Sequence, residues 1–177
     1  MPSDLGDVFD EHVRAEFVER DLDATMATMV DEPYVTHVPV LTGGFGRDEV
    51  ARFYRDSFIG RWPVDTEIVP VSRTVDVNRV VDELIVRFTH DIEMPAYLPG
   101  IAPTGRRVEL AHVVVMGFRD GKVTYEHIYW DQASLLVQVG LLDPETLPVT
   151  GAEQARKVLD PSLPANALID RARPADG

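Results

Sequence analysis

The chain has 177 residues, 45% of them apolar, a formal net charge of -13 and no cysteine. That length suits one domain with a sizeable core. The lack of cysteine excludes disulfides, thiolate nucleophiles and cysteine-ligated metals. The acidic balance leaves no basic footprint for nucleic acid and opposes anionic membranes. No run reaches the roughly 18 apolar residues of a membrane span. The start, MPSDLGDVFDEH, lacks a basic-then-apolar signal, so the expectation is a cytoplasmic protein that binds neither nucleic acid nor membrane.

A first helix is expected from Asp4 to Arg20, where Leu5, Phe9, Val13 and Phe17 recur every four residues with Val8 beside them. Asp21 can cap a second, shorter helix that Pro33 ends. A strand at Tyr34–Val40, a turn at TGGFG and a third helix at Arg47–Phe58 follow. Residues 66–77, 79–94, 108–119 and 122–131 are rich in β-branched and aromatic residues and read as strands. Asp120-Gly121 marks a hairpin between the last two. PAYLPGIAPTGRR is a loop. Helices followed by long strands predict an α+β fold, a curved antiparallel sheet packed on N-terminal helices with a cone-shaped pocket between the layers. The domain is expected to span residues 1–142. Residues 143–177 form a proline-rich tail with a helix near Ala152–Leu159, packing on the domain or on a partner subunit. The uncovered outer face of the sheet and this tail predict a homodimer.

The chemistry concentrates in Gly100–Gly140. Strand side chains alternate faces, so Tyr125, His127, Tyr129 and Asp131 share one face, and Glu126, Ile128 and Trp130 share the other. A face with two phenols, an imidazole and a carboxylate suits a pocket wall better than solvent or plain core. Asp131 has two readings, the N-cap of the helix QASLLVQVG or a general acid/base in the pocket. His37 and His90 sit on other strands and could polarise a carbonyl or hold a water. His112 alternates with Leu110, Val114 and Met116 and reads as core-facing, while His12 beside the first helix's stripe receives no role. Tyr34, Tyr54, Trp62 and Tyr97 read as core or pocket lining. No His-x-x-x-His or His-Glu-x-x-His spacing is present, so neither a metal nor another cofactor is expected.

His37 in YVTHVP, Thr89-His90 in FTHDIEM, PTGRRVEL, FRDGKV and EHIYWDQASLLVQVG, in this order, resemble the SnoaL-like polyketide cyclase group of the nuclear transport factor 2 superfamily. The resemblance covers roughly residues 8–142. It implies a cofactor-independent general acid/base enzyme (a cyclase, isomerase or dehydratase) acting on a small carbonyl or polyketide-like compound. Asp131, His127, His90 and His37 would be its catalytic residues, with Tyr125, Tyr129, Tyr34, Tyr54, Trp62 and Tyr97 around the substrate. Two positions depart from the group's pattern, Ile92 where Gly is common and Ile128 where Trp is common. The competing reading is a non-catalytic small-molecule-binding or dimerisation module of the same fold.

Overall fold

A computed structural model describes residues 4–173; the chain's first three residues and the polar end of the tail, 174–177, lie outside it. Helix α1 (Leu5–Arg14) starts where the Asp4 carboxylate accepts the Gly6 amide at 2.9 Å. It continues as a π-helical turn over Ala15–Glu19, closed by Arg20 N–H donating to Ala15 C=O, and stops at Arg20 in the left-handed region. Helix α2 (Leu22–Ala27) is capped by Asp21, which accepts Ala24 N–H. Helix α3 (Arg47–Phe53) also runs into a π-helical turn, Tyr54–Phe58, where Ile59 N–H donates to Tyr54 C=O. The two helices expected at Asp4–Arg20 and Arg47–Phe58 therefore exist but widen in their last turn, which hydrophobic periodicity alone does not report.

Six strands form one curved sheet in the order β2-β1-β6-β5-β4-β3. They are β1 (Met29–His37), β2 (Thr42–Phe45), β3 (Glu67–Val75), β4 (Arg79–Thr89), β5 (Arg107–Arg119) and β6 (Lys122–Trp130). Neighbours are antiparallel except β1 and β6, which run parallel. Pro33 does not end a helix but lies inside β1. Its missing N–H is tolerated because β1 is irregular against β6 between Met29 and Tyr34. The TGGF segment, expected as a turn, is β2: Gly43 has φ +138, and a side chain there would meet the Val35 carbonyl at 2.0 Å. Asp120 and Gly121, with φ 54 and 73, form the expected hairpin turn with both central residues at positive φ.

The core fills the concave side. Val8, Phe9, Val50 and Phe53 from the helices meet Val35, Val86, Phe88, Leu110, Met116 and Ile128 from the sheet. Each such side chain contributes roughly 1.5–3 kcal/mol on burial. The loop 90–106 is pinned by His90, whose amide donates to Arg106 C=O and whose carbonyl accepts the Thr104 and Gly105 amides. The pinned loop carries Met94, Ala96, Tyr97 and Leu98 into the core. Helix α4 (Gln132–Gln138) follows β6. In the tail, α5 (Glu153–Leu159) packs on β5 through buried Ala155 and the Arg156–Glu109 ion pair at 2.6 Å. The exposed helix α6 (Ala167–Ala172) follows it.

Candidate functional site

Register decides which face of β6 meets the helices. Beyond the hairpin, Met116 pairs with Glu126, Val114 with Ile128 and His112 with Trp130. Met116, Glu126, Ile128, His112 and Trp130 are all buried. The expected pocket face is therefore the outer one. Tyr125 and His127 are half-buried and Tyr129 is exposed. These aromatics pack on one another and on Tyr34, which stacks on Tyr125 at 5.2 Å and lies 5.5 Å from His127. Such cross-strand aromatic pairs stabilise a sheet without lining a cavity. Asp131 is exposed. Its Oδ1 accepts the Ala133 and Ser134 amides at 2.9 and 3.3 Å, and its Oδ2 accepts Gln154 Nε2 at 2.8 Å. Asp131, His127, Tyr125, Tyr129 and Tyr34 are thus corrected from pocket residues to a helix cap and an outer aromatic cluster. His90 is buried in the loop, its Nδ1 3.1 Å from Thr104 Oγ1, and does not line the cavity. Of the expected site residues, His37, Tyr54, Trp62 and Tyr97 do line it.

The cavity between helices and sheet holds about 230 Å³. Its walls are mostly aromatic and aliphatic, and its polar groups converge on His12 of α1. His12 Nε2 lies 2.9 Å from Glu126 Oε1, 3.2 Å from Glu16 Oε1 and 3.2 Å from Tyr54 Oη. Tyr54 Oη donates to the same Glu126 oxygen at 2.7 Å. On the far side of the ring, Thr28 Oγ donates to Thr25 C=O and so accepts from His12 Nδ1 at 2.6 Å. This chain fixes Nδ1 as a donor and aims Nε2 at the carboxylates. The His12, Glu16, Tyr54 and Glu126 side chains are all buried.

Burial alone would lower the His12 pKa, but the charges of Glu126 and Glu16 outweigh it and raise it to about 10. Burial likewise pushes Glu126 upward, yet the adjacent His12 and the Tyr54 hydroxyl bring it below the usual carboxylate range. Glu16 goes the other way: burial and the charge of Glu126 raise it, against His12. Its Oε1 is buried without a hydrogen-bond partner among the described residues. The cluster therefore sets an imidazolium beside one carboxyl group held low, Glu126, and one pushed up, Glu16. The donor atoms of His12, Glu16 and Glu126 lie within 4.8 Å of one another, the tightest such gathering among the described residues.

Two neutral histidines face the same cavity, each lowered by burial to about 4. Thr42 Oγ donates to Ala96 C=O at 2.8 Å, and His37 Nδ1 sits 3.3 Å from that carbonyl. Nδ1 is then the donor, which leaves Nε2 a free lone pair. His112 is spoken for: Nδ1 donates to Leu110 C=O, and Nε2 accepts from Tyr97 Oη, both at 3.2 Å. At the cavity mouth Arg73 of β3 forks onto Asp82 with two 2.7 Å bonds, reaches Asp10 of α1 at 2.7 Å and lies over the Phe9 ring.

Both π-helical turns supply cavity residues, Glu16 and Phe17 from the first, Tyr54 and Phe58 from the second. Such turns recur at functional sites. His12, Glu16 and Glu126 were missed from sequence. Their signal was present: Val8, His12 and Glu16 form an i, i+4 row beside the apolar stripe of α1, and Glu126 shares its strand face with Ile128 and Trp130.

The SnoaL-like domain family matches residues 9–126. No curated protein sequence matches the chain significantly. Several solved structures share the fold. An NTF2-like protein of unknown function from Burkholderia pseudomallei K96243 is 24% identical at a TM-score of 0.59, over 78% of this chain and 98% of that one. A candidate SnoaL-like polyketide cyclase from Jannaschia sp. CCS1 is 18% identical at a TM-score of 0.60, over 77% and 94%. SalBIII, an epoxide hydrolase/cyclase-like enzyme of pyran ring formation in salinomycin, is 18% identical at 0.55, over 74% and 95%. The fold includes cyclases and ketosteroid isomerases among its members. Matched from Phe9 to Glu126, this chain belongs to the SnoaL-like domain family.

Proposed function

We propose that the protein is a general acid–base enzyme, of the cyclase, isomerase or dehydratase kind, acting on a small and largely apolar carbonyl compound. The observation that carries this reading is the buried gathering of Glu16, Glu126 and Tyr54 about His12 on one cavity wall, where burial pushes Glu16 up and His12 holds Glu126 down. Neighbouring groups whose environments push their pKa values apart make a matched acid and base. Glu126 takes a proton from the carbon next to the substrate carbonyl, through Oε2, which makes none of the contacts that hold Oε1. The C–H pair moves into the enolate, and the oxygen accepts a hydrogen bond or a proton from the protonated form of Glu16, which burial favours. His12 keeps Glu126 ionised, and Tyr54 fixes its orientation. The proton on Glu126 then returns to another carbon to give an isomer, goes to the oxygen of a second carbonyl that the enolate attacks in closing a ring, or goes to a β-hydroxyl that leaves as water to give an alkene. The His37 Nε2 lone pair can accept from a substrate hydroxyl. No step requires a cofactor.

The test is α-proton exchange in D2O, followed by NMR over a panel of lactones, β-keto esters and polyketide-like ketones. On any compound that exchanges, Glu126→Gln should lower the rate by roughly 10²–10⁴-fold. Near-wild-type exchange in Glu126→Gln refutes the assignment.

A further inference from the structure

The cavity shares a wall with a second hollow of about 300 Å³ on the side of the first π-helical turn. The residues common to both are Glu16, Phe17, Trp62 and Ile68. Two of them form the substance of the wall: the Phe17 and Trp62 rings pack at a 51° tilt with centroids 5.2 Å apart. Trp62 is fixed, only 6% exposed, with Phe58, Phe88 and Tyr97 rings 5.8, 5.8 and 4.9 Å away. Phe17 is only partly buried and packs also on the Phe58 ring at 5.7 Å. It sits on a turn whose backbone makes the wide five-residue hydrogen bond, next to Val18, which is 75% exposed. Beyond the wall the outer hollow is rimmed by Val18, Arg20, Val64 and Thr66, with Val64 90% exposed.

Size gives the arrangement meaning. The inner cavity alone is smaller than the ~300–1,000 Å³ typical of ligand sites, whereas the two hollows joined fall inside it. We propose that Phe17, closing against Trp62, is a specificity-determining residue that sets how long a molecule the site accepts. Short compounds fit wholly beside the His12–Glu126 group. Longer ones meet the Phe17–Trp62 wall, and only where that wall is opened does an apolar tail reach the outer hollow. Which end reacts rests on the acid–base reading; the length limit does not.

The experiment is calorimetric binding of straight-chain 1-alkanols, pentanol to dodecanol, to the wild-type chain and to Phe17→Ala, Phe17→Leu and Val18→Ala. Each methylene added within apolar space should raise affinity roughly fourfold, until the chain meets the wall and the gain stops. Phe17→Ala should move that break to longer chains, Phe17→Leu less far, and Val18→Ala not at all. Phe17→Leu decides the matter should circular dichroism show that Phe17→Ala is unfolded. An unchanged break in the folded Phe17 variants, a wild-type series without a break, or no binding of any alkanol overturns the proposal. Alkanols carry no carbonyl, so loss of the acid–base reading in the Glu126→Gln exchange experiment leaves this result interpretable.

Discussion

The sharpest consequence of the His12 network is the pH dependence of stability. An ordinary histidine has a pKa of 6.5, and in this fold His12 is raised to about 10. A group raised on folding stabilises the native state fully below its unfolded pKa, and the contribution is lost as pH rises toward the folded value. In that window the native state holds one more proton than the unfolded chain. Stability should then fall by about 1.4 kcal/mol per pH unit, to a gross total of about 5 kcal/mol over the whole interval. Glu16, also raised, acts in the same direction. Glu126→Gln removes the largest attraction on His12 and leaves only Glu16 to oppose burial, so the His12 pKa drops and the slope flattens. Breaking the buried pair should also cost ~3–5 kcal/mol at neutral pH.

Urea unfolding between pH 6.5 and 9, before tyrosines and lysines titrate in the unfolded chain, measures both effects, and imidazole NMR follows His12 directly. A wild-type slope near zero refutes the ion pair. Equal slopes in wild type and Glu126→Gln refute the role of Glu126 in holding it.

On the acid side the sign reverses. His37 and His112 are lowered to about 4, so stability present above 6.5 should fall as pH drops from 6.5 toward 4, and His37→Gln should shallow that fall in urea titrations. Asp131→Asn should keep both the fold and any turnover, whereas Asp131→Ala should cost ~1 kcal/mol in thermal or urea unfolding, because the residue acts as a cap. Gly117→Ala should destabilise by ~1–3 kcal/mol or more, since the new Cβ would lie 2.1 Å from the Tyr125 ring; unchanged urea unfolding would contradict the observed packing there. We expect the outer sheet face carrying Val113 and Tyr129 to pair with a second copy. Sedimentation should give a dimer that Tyr129→Glu weakens, and a wild-type monomer at micromolar concentration would refute it.

The fold was legible because its strongest signals are local. The four-residue stripe of α1, the alternating runs of β3 to β6 and the Asp120-Gly121 turn each follow from short-range pattern. The sequence starts β1 too late because Pro33 looks like a terminator, when it instead sits in a break of the β1–β6 ladder, where no amide is needed. The parallel β1–β6 pair lay beyond reach for a related reason: strands separated by most of the chain leave no turn chemistry to betray their direction.

The site was lost by one residue. A two-residue Asp120-Gly121 turn pairs Arg119 with Lys122 and Phe118 with Val123. Continued regularly, that register sets Met116 opposite Tyr125 and His112 opposite Tyr129, so the core-facing residues of β5 would share a face with the tyrosines and His127. The actual ladder skips at this point, with Gly117 paired to Tyr125 and Thr124 left over. A slip of one residue exchanges the two faces of a strand. It turns Glu126, Ile128 and Trp130 inward and sends Tyr125, His127 and Tyr129 out. The marker of the bulge was visible in GFRDGKV: a glycine inside a strand signals an irregular ladder or a close approach, and Gly117 marks both, lying under the Tyr125 ring. The bulge thus does for β6 what the π-helical turns do for the helices, spending one extra residue to re-aim a side chain, and the three irregularities together bring Glu16, Tyr54 and Glu126 around His12.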